Sequence, residues 1–552
     1  MTDEELPVGV DFDVAATMRD GVVLRANVYR PSGLGPWPAL LVRTPYDKNE
    51  PLQDLDPMRA ARQGFVVVVQ DVRGRFASDG EWIPFRFEPH DGYDSVEWAA
   101  GLAGVNGRVG MYSASYCGNV QWLAAFERPP SLGAIAPAMT WSDAREGLLT
   151  RGGALELGLA WFWALENGFD VIRRSVADPD EAARRADELR LEFDRALDDA
   201  YWELPVDDAA VLHRHGVPAF SGIGPVATPE AVRESAVRDR IGDVEIPSFH
   251  LSGWYDIFVQ GTLDNFVAMQ QRGRDATLVV GPWSHELHRD PIGQLNFGSG
   301  AARDAPVHGE LDADALGPAW LRSRLDVDAP KPVHAPVRIF VMGRNEWRDE
   351  QSWPLAQAQT ESWFLAPDGL LSTRMPEAAV VDYRYNPADP VPAMGGHGVP
   401  LGTTPAGPVD QVDVEARPDV LVFTSEPLEH DLEVTGRVRA TIYADSSAPS
   451  TDFVVRLCDV HPDGRSFTIC DGITRVEGAD VAAREVDLWS TSNVFLAGHR
   501  LRVHVTSSSF PRWDRNLNTG DQRSPRFEVA DQRIHLGILD GSRVDLPVVR
   551  EP

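Results

Sequence analysis

Short apolar runs, each closed by turn residues, constrain this chain more than any other feature. PALLVRTPY, GFVVVVQDVRG, GRVGMYSASYCG and AIAPAMTW follow one another through the first part of the sequence. Between them lie stretches of helical period such as DGYDSVEWAAGLA. Apolar strands that alternate with helices indicate a parallel sheet buried on both faces. An earlier stretch, VAATMRDGVVLRANVYRP, holds two alternating runs around Asp20-Gly21 and reads as a hairpin.

The texture changes twice. From about 143 to 241, runs such as DEAARRADELRLEFDRALDDAYWEL carry apolar residues at helical spacing among many charges, which predicts a helical insertion. Strand-helix alternation resumes with IPSFHLSGWYD and ATLVVGPWSH. After Trp353 come many short alternating strands, as in a β-sandwich, interrupted by a loop rich in Pro and Gly at 386–412. The expected units are therefore 1–142 and 242–352 for the α/β core, 143–241 for the inserted helices and 353–552 for the β-rich domain.

A length of 552 residues permits two to four domains and a large core. The formal net charge of -31 argues against nucleic acid or an anionic membrane as a partner. The three cysteines, Cys117, Cys458 and Cys470, make no disulfide framework and suit a reducing compartment. The acidic start, MTDEELPVGVDFD, has no secretory pattern, and no apolar run approaches the ~18 residues of a membrane span. A cytoplasmic location is the expectation. A homodimer is compatible with all of this.

Chemistry concentrates in VGMYSASYCGNVQW, Val109 to Trp122, where Ser113, Ser115 and Cys117 alternate between a strand-like run and a helix-like run. A strand-turn-helix elbow holds its nucleophile in a strained conformation and needs small neighbours two residues away on each side. Ser115 has Ser113 before it and Cys117 and Gly118 after it. Ser113 would have the bulky Met111 before it, and Cys117 is less well framed. Serines among small residues also form ordinary turns.

A serine nucleophile needs a base, and the base an orienting carboxylate. Asp256 and His285 both follow apolar strands, where α/β sheets place their sites, and they follow Ser115 in the order Ser, Asp, His. Asp256 could instead cap the next helix. His250 and His288 are rivals to His285, the first within a strand and the second a turn later. The backbone N–H of Tyr116, the residue after the serine, would be one oxyanion donor. Tyr46 in RTPYDK could supply a second through its phenol, or simply pack on the sheet.

Taken together, MRDGVVLRANVYRP, VRTPYDK, VVVQDVRGRFASDGEW, VGMYSASYCG, GWYDIFV, VGPWSH, VMGRNEWRDEQSWP and TSNVFLAGHRLRVHVTSSSFPRWDRNLNTG resemble the cocaine esterase and Xaa-Pro dipeptidyl-peptidase (CocE/NonD) group of α/β-hydrolases. The resemblance implies an α/β-hydrolase core, an inserted helical cap and a C-terminal jelly-roll. It also implies a catalytic triad of Ser115, Asp256 and His285, with Tyr46 as an oxyanion donor. In two places the chain departs from the pattern. The elbow glycine is Ser113. Relatives that cleave cocaine line the acyl pocket with aromatics; counted from the shared GGAL at 152–155, one such position carries Trp163 and another Leu148, while Phe258 also matches.

The expected function is thus a serine carboxylesterase acting on a small-molecule ester through an acyl-enzyme, with no metal or cofactor. The sequence has no zinc-type Cys/His spacing, P-loop or dinucleotide fingerprint. Alternatives on the same scaffold are Xaa-Pro dipeptidyl-peptidase, α-amino acid ester hydrolase and β-lactam acylase, whose amine-bearing substrates need carboxylates near the acyl pocket. A non-catalytic, carbohydrate-binding protein is the alternative from another class.

Overall fold

A computed structural model describes residues 7–33, 35–52, 54–195, 199–206, 214–215, 229–309, 311–330, 335–399 and 406–550. Three parts of the predicted helical insertion, 196–198, 207–213 and 216–228, lie outside the described residues, as do 400–405 of the predicted loop.

The core is a ten-stranded sheet. Its strands are β1 (Val8–Thr17), β2 (Val23–Pro31), β3 (Trp37–Thr44), β4 (Val66–Asp71), β5 (Val105–Ala114), β6 (Leu132–Ala138), β7 (Ser248–Tyr255), β8 (Ala276–Ser284), β9 (Val337–Val341) and β10 (Glu346–Glu350). They lie in the order β1-β2-β4-β3-β5-β6-β7-β8-β9-β10. β1 and β2 form the antiparallel hairpin expected around Asp20-Gly21, β3 through β9 run parallel, and β10 returns antiparallel.

The continuous apolar runs have a simple cause. On β3, Ala39 and Leu41 face one apolar cluster while Leu40 and Val42 face another. On β4, Val66 and Val68 divide from Val67 and Val69 in the same way. Successive side chains point to opposite faces, and both faces are covered, so consecutive positions 39–42 and 66–69 are apolar, while buried Arg43, Thr44, Gln70 and Asp71 close the two strands. Each such Val or Leu contributes about 1.5–3 kcal/mol by leaving water. The helices Glu88–Ala100 and Tyr116–Phe126 pack on one face. Val259–Gln271 and Ala313–Leu325 contribute to the other.

Between β6 and β7 the chain leaves the sheet. It forms the helices Leu157–Ser175 and Pro179–Asp194. The second starts on Asp178, whose carboxylate accepts from the Asp180 N–H, with Pro179 in the first turn where its missing N–H costs nothing.

After β10 an eleven-stranded, antiparallel-dominated sheet wraps around a separate apolar core that includes Phe453, Leu457, Val503 and Ile534. This is the C-terminal β-sandwich. It is tied to the rest of the chain by polar contacts. Arg348 of β10 pairs with Glu433 at 2.7 Å, Trp513 donates to Glu156 at 2.9 Å, and the Arg151 guanidinium lies 3.6 Å over the Trp489 ring. Among the described residues, no helix is long and apolar enough to cross a membrane.

Candidate active site

β5 delivers Ser113 and Ser115 to the middle of the sheet, and the backbone there is strained. Ser113 has φ 119° and Ser115 has φ 61°, ψ -126°. Side chains with a Cβ rarely adopt either conformation, and each costs about 1–3 kcal/mol. The surroundings hold both in place. The Ser115 N–H donates to the carbonyls of Ala138 at 3.0 Å and Met139 at 3.2 Å, at the end of β6. The buried Gln121 amide donates to the carbonyls of Ser113 and Cys117, each at 3.0 Å, and its oxygen accepts from the Ala136 N–H. The Ser113 hydroxyl donates to buried Asp54 at 3.0 Å. Gly118 makes the turn possible, since a Cβ there would meet the Ala138 carbonyl oxygen at 2.7 Å. The helix Tyr116–Phe126 then starts directly behind half-buried Ser115.

Asp256 stands just past β7 and His285 just past β8, two neighbouring parallel strands. Asp256 is fully buried. One of its oxygens lies 2.6 Å from His285 Nδ1, and the other accepts from the Ser252 hydroxyl at 3.1 Å. Phe258 packs edge-on against the imidazole with centroids 5.3 Å apart. Burial pushes the His285 pKa down, but the Asp256 charge and hydrogen bond outweigh it, so the net shift is upward from 6.5.

The rival histidines are placed elsewhere or differently. His250 is buried between Trp122 and Phe266, its Nε2 lies 2.9 Å from the Ser248 hydroxyl, and burial pushes its pKa down to about 3. His288 does line the same cavity as His285, but its Nε2 faces Arg303 at 3.4 Å rather than a carboxylate.

Tyr46 sits on the loop after β3. Its phenol oxygen accepts from the Trp163 indole N–H at 3.0 Å. Trp163 comes from the helix Leu157–Ser175, so the insertion reaches into the site of the core sheet. Tyr116 is buried; its phenol donates to Glu88 at 2.8 Å and its ring stacks on Phe85.

Ser115, His285, Tyr46 and Trp163 line one cavity of about 280 Å³. Its apolar wall includes Leu52, Met139, Leu159, Phe162 and Val399. Five carboxylates also border it: Asp47, Glu50, Asp54, Glu166 and Glu286. The sequence patterns did not single these out, because they come from loops and a helix far apart in the chain. Leu148 and Phe258 are not part of this wall. Leu148 is buried in the apolar cluster of the core, and Phe258 stands behind the imidazole. Cys117 lines the cavity, but burial pushes its thiol up to about 12.

Two family profiles match the chain, X-Pro dipeptidyl-peptidase (S15 family) over residues 20–286 and the X-Pro dipeptidyl-peptidase C-terminal non-catalytic domain over 333–545. The cocaine esterase of Rhodococcus sp. (strain MB1 Bresler) is 36% identical over 579 residues, covering 98% of this chain and 99% of that protein. Solved structures share the fold, among them the following two. The aminopeptidase of a marine sediment Thaumarchaeota archaeon has a TM-score of 0.80 at 22% identity, covering 100% of this chain and 97% of its own. An α-amino acid ester hydrolase has a TM-score of 0.78 at 24% identity, covering 99% and 98%. The chain belongs to the X-Pro dipeptidyl-peptidase (S15) family of α/β-hydrolases, and its chemistry is serine-dependent hydrolysis of carboxylic esters.

Proposed function

We propose that Ser115, His285 and Asp256 form the triad of a carboxylesterase whose substrates carry an apolar acyl group. The observation that carries this reading is the 2.6 Å Asp256–His285 pair on the same cavity as the strained Ser115. With Nδ1–H donated to Asp256, the imidazole keeps its Nε2 lone pair for the serine proton. The Ser115 oxygen attacks the ester carbonyl as that proton moves to His285. The oxyanion is held by the Tyr46 O–H and the Tyr116 N–H. His285 then returns the proton to the leaving alcohol, and water repeats the sequence to release the acid. Each oxyanion donor supplies about 2.7–4 kcal/mol of transition-state stabilisation. Leu159, Phe162 and Trp163 suit an apolar acyl chain. Three free, buried cysteines favour a reducing, cytoplasmic setting.

A second reading is favoured by the five carboxylates at the cavity: acyl donors with a free amine, such as α-amino acid esters or X-Pro peptides. The test is initial rates on 4-nitrophenyl butyrate, an α-amino acid ester and an X-Pro anilide, for the wild type and Ser115→Ala. Cleavage of the butyrate above the others, lost in the variant, supports the first reading. Preference for the amine-bearing substrates moves the function to the second. Activity that survives in Ser115→Ala overturns the assignment of the nucleophile.

A further inference from the structure

Three side chains of the C-terminal sandwich that line no part of the catalytic cavity converge at one place. Asp459 is the last residue but one of the strand Ser450–Val460, and His461 directly follows that strand. His499 immediately precedes Arg500–Thr506, the strand paired with it, where Asp459 stands opposite Leu501 and Val460 opposite Arg500. The ligating atoms of Asp459, His461 and His499 all lie within 4.8 Å of one another.

Two of the separations, those from Asp459 to each histidine, fall in the range of ligands around a shared ion. His499 Nδ1 is 2.9 Å from one Asp459 oxygen, and His461 Nε2 is 3.7 Å from the other. Donor atoms about 2.0–2.1 Å from one metal, at angles of roughly 90–130°, stand about 2.9–3.7 Å apart. The first separation is also a hydrogen-bond distance, whereas the second is too long for one, so hydrogen bonding alone does not account for His461 beside Asp459. The two imidazoles lie beside each other with centroids 4.5 Å apart and planes tilted by 45°. Were both protonated they would repel across that gap.

The backbone prepares the same arrangement. The His461 N–H donates to the Arg465 carbonyl at 2.8 Å, the Gly464 N–H returns to the His461 carbonyl at 2.9 Å, and the His499 N–H is held by the Leu496 carbonyl at 3.0 Å. Gly464, at φ 92°, makes this tight turn possible. His461 is the most exposed of the three, at 25% against 11% for His499 and 9% for Asp459, which gives an ion a path in and leaves a coordination position for water.

We propose that Asp459, His461 and His499 bind one divalent transition-metal ion of the Zn2+ type, clamping the 460–466 turn to the start of the neighbouring strand. Two imidazoles and one carboxylate suit Zn2+, Co2+ or Ni2+. They do not suit Ca2+ or Mg2+, which take mainly oxygen ligands. The site is separate from the triad and serves the stability of the sandwich rather than ester hydrolysis.

The experiment uses the full-length, tag-free protein, stripped with EDTA and titrated with Zn2+ by calorimetry at pH 7.5. Co2+ absorption is the second readout, and thermal melting is followed with and without ~100 µM Zn2+. The wild type is expected to take up about one equivalent and to melt higher with Zn2+, because the ion binds only the folded site. His461→Ala, at the most exposed ligand, is expected to weaken binding by at least about a hundredfold and to abolish the melting shift, with ester hydrolysis unchanged. Asp459→Asn, close in volume, should do the same if His461→Ala folds poorly. The proposal is overturned if the stripped wild type takes up no Zn2+, if both folded variants bind it as well as the wild type, or if Mg2+ raises the melting temperature as much as Zn2+ does.

Discussion

The Trp163 indole donates its N–H to the phenol oxygen of Tyr46 at 3.0 Å. A phenol that accepts one hydrogen bond keeps its own O–H to donate. Burial raises the Tyr46 pKa, so the hydroxyl stays protonated at any working pH. Both residues line the cavity that holds Ser115, and in the proposed mechanism the Tyr46 O–H donates to the oxyanion. Tyr46→Phe is expected to lower kcat by about 10²–10³-fold with little change in KM, since the lost donor acts on the oxyanion rather than on the bound ester. Trp163→Phe keeps an aromatic ring but removes the orienting N–H and part of the ring packed on Trp82 and Tyr116, and its loss should stay within about tenfold, near the worth of one neutral hydrogen bond. Equal losses in the two variants would mean that Tyr46 acts through packing.

The Asp256–His285 pair sets a pH dependence. In the proposed triad His285 acts as base only when neutral, and its pKa is raised above 6.5 by the Asp256 charge and hydrogen bond against the opposing effect of burial. The ring therefore stays protonated to a higher pH than a free histidine, and kcat/KM is expected to fall towards acid with a midpoint above 6.5. Asp256→Asn removes the raising influence and leaves burial, so the midpoint should move to lower pH while kcat drops by about 10⁴-fold. A pH–rate profile of kcat/KM for both proteins checks the two effects together. An unmoved midpoint in Asp256→Asn would show that another group titrates.

How much of this was legible beforehand differs by residue. The runs on β3 and β4 read correctly as buried strands because a sheet covered on both faces favours apolar residues at consecutive positions, and a one-dimensional pattern records that. Ser115, Asp256 and His285 could be singled out because each follows an apolar strand, so position in the chain maps onto position in the sheet. The contacts that hold them could not. Gln121 brackets the elbow by bonding three backbone groups of β5, its helix and β6, and Asp54 meets Ser113 across 59 positions of sequence. Nothing in local periodicity marks either. Leu148 shows the same limit. Its distance from the GGAL stretch matched a pocket position, but which way a loop side chain points depends on what packs around it, and it packs into the core.

Cys117 tests the identity of the nucleophile. It is buried at 3% exposure and its thiol is pushed up to about 12, so at neutral pH the thiolate fraction is on the order of 10⁻⁵. Cys117→Ala is expected to leave kcat/KM within about threefold of the wild type. The small cavity left behind should cost about 1–2 kcal/mol in stability. Thiol reagents on the native enzyme should leave esterase activity in place. Loss of turnover in a folded Cys117→Ala would return the question to which of the two side chains attacks.

Ser113 stands where the family pattern has glycine, and two opposing effects meet there. Its φ of 119° strains a residue with a Cβ, by about 1–3 kcal/mol, while its hydroxyl gives Asp54 a donor at 3.0 Å. Asp54 is buried, its other oxygen has no hydrogen-bond partner among the described residues, and burial raises its pKa despite Arg303 and Ser113. Ser113→Ala keeps the strain and removes the donor, so it should destabilise by about 1–3 kcal/mol. Ser113→Gly also removes the donor but relieves the strain, so it should lie between Ser113→Ala and the wild type. The raised pKa gives the pH dependence its sign. The folded state holds the Asp54 proton more tightly than the unfolded state, so stability falls as pH rises from the ordinary carboxylate range through the raised value. Losing the Ser113 bond raises that value further, so the deficit of Ser113→Ala should be small in acid and full at neutral pH. Urea midpoints of the three proteins across that range, with unchanged m-values, give the answer. If Ser113→Ala is as stable as Ser113→Gly at neutral pH, strain at this position is not what the glycine of the pattern relieves.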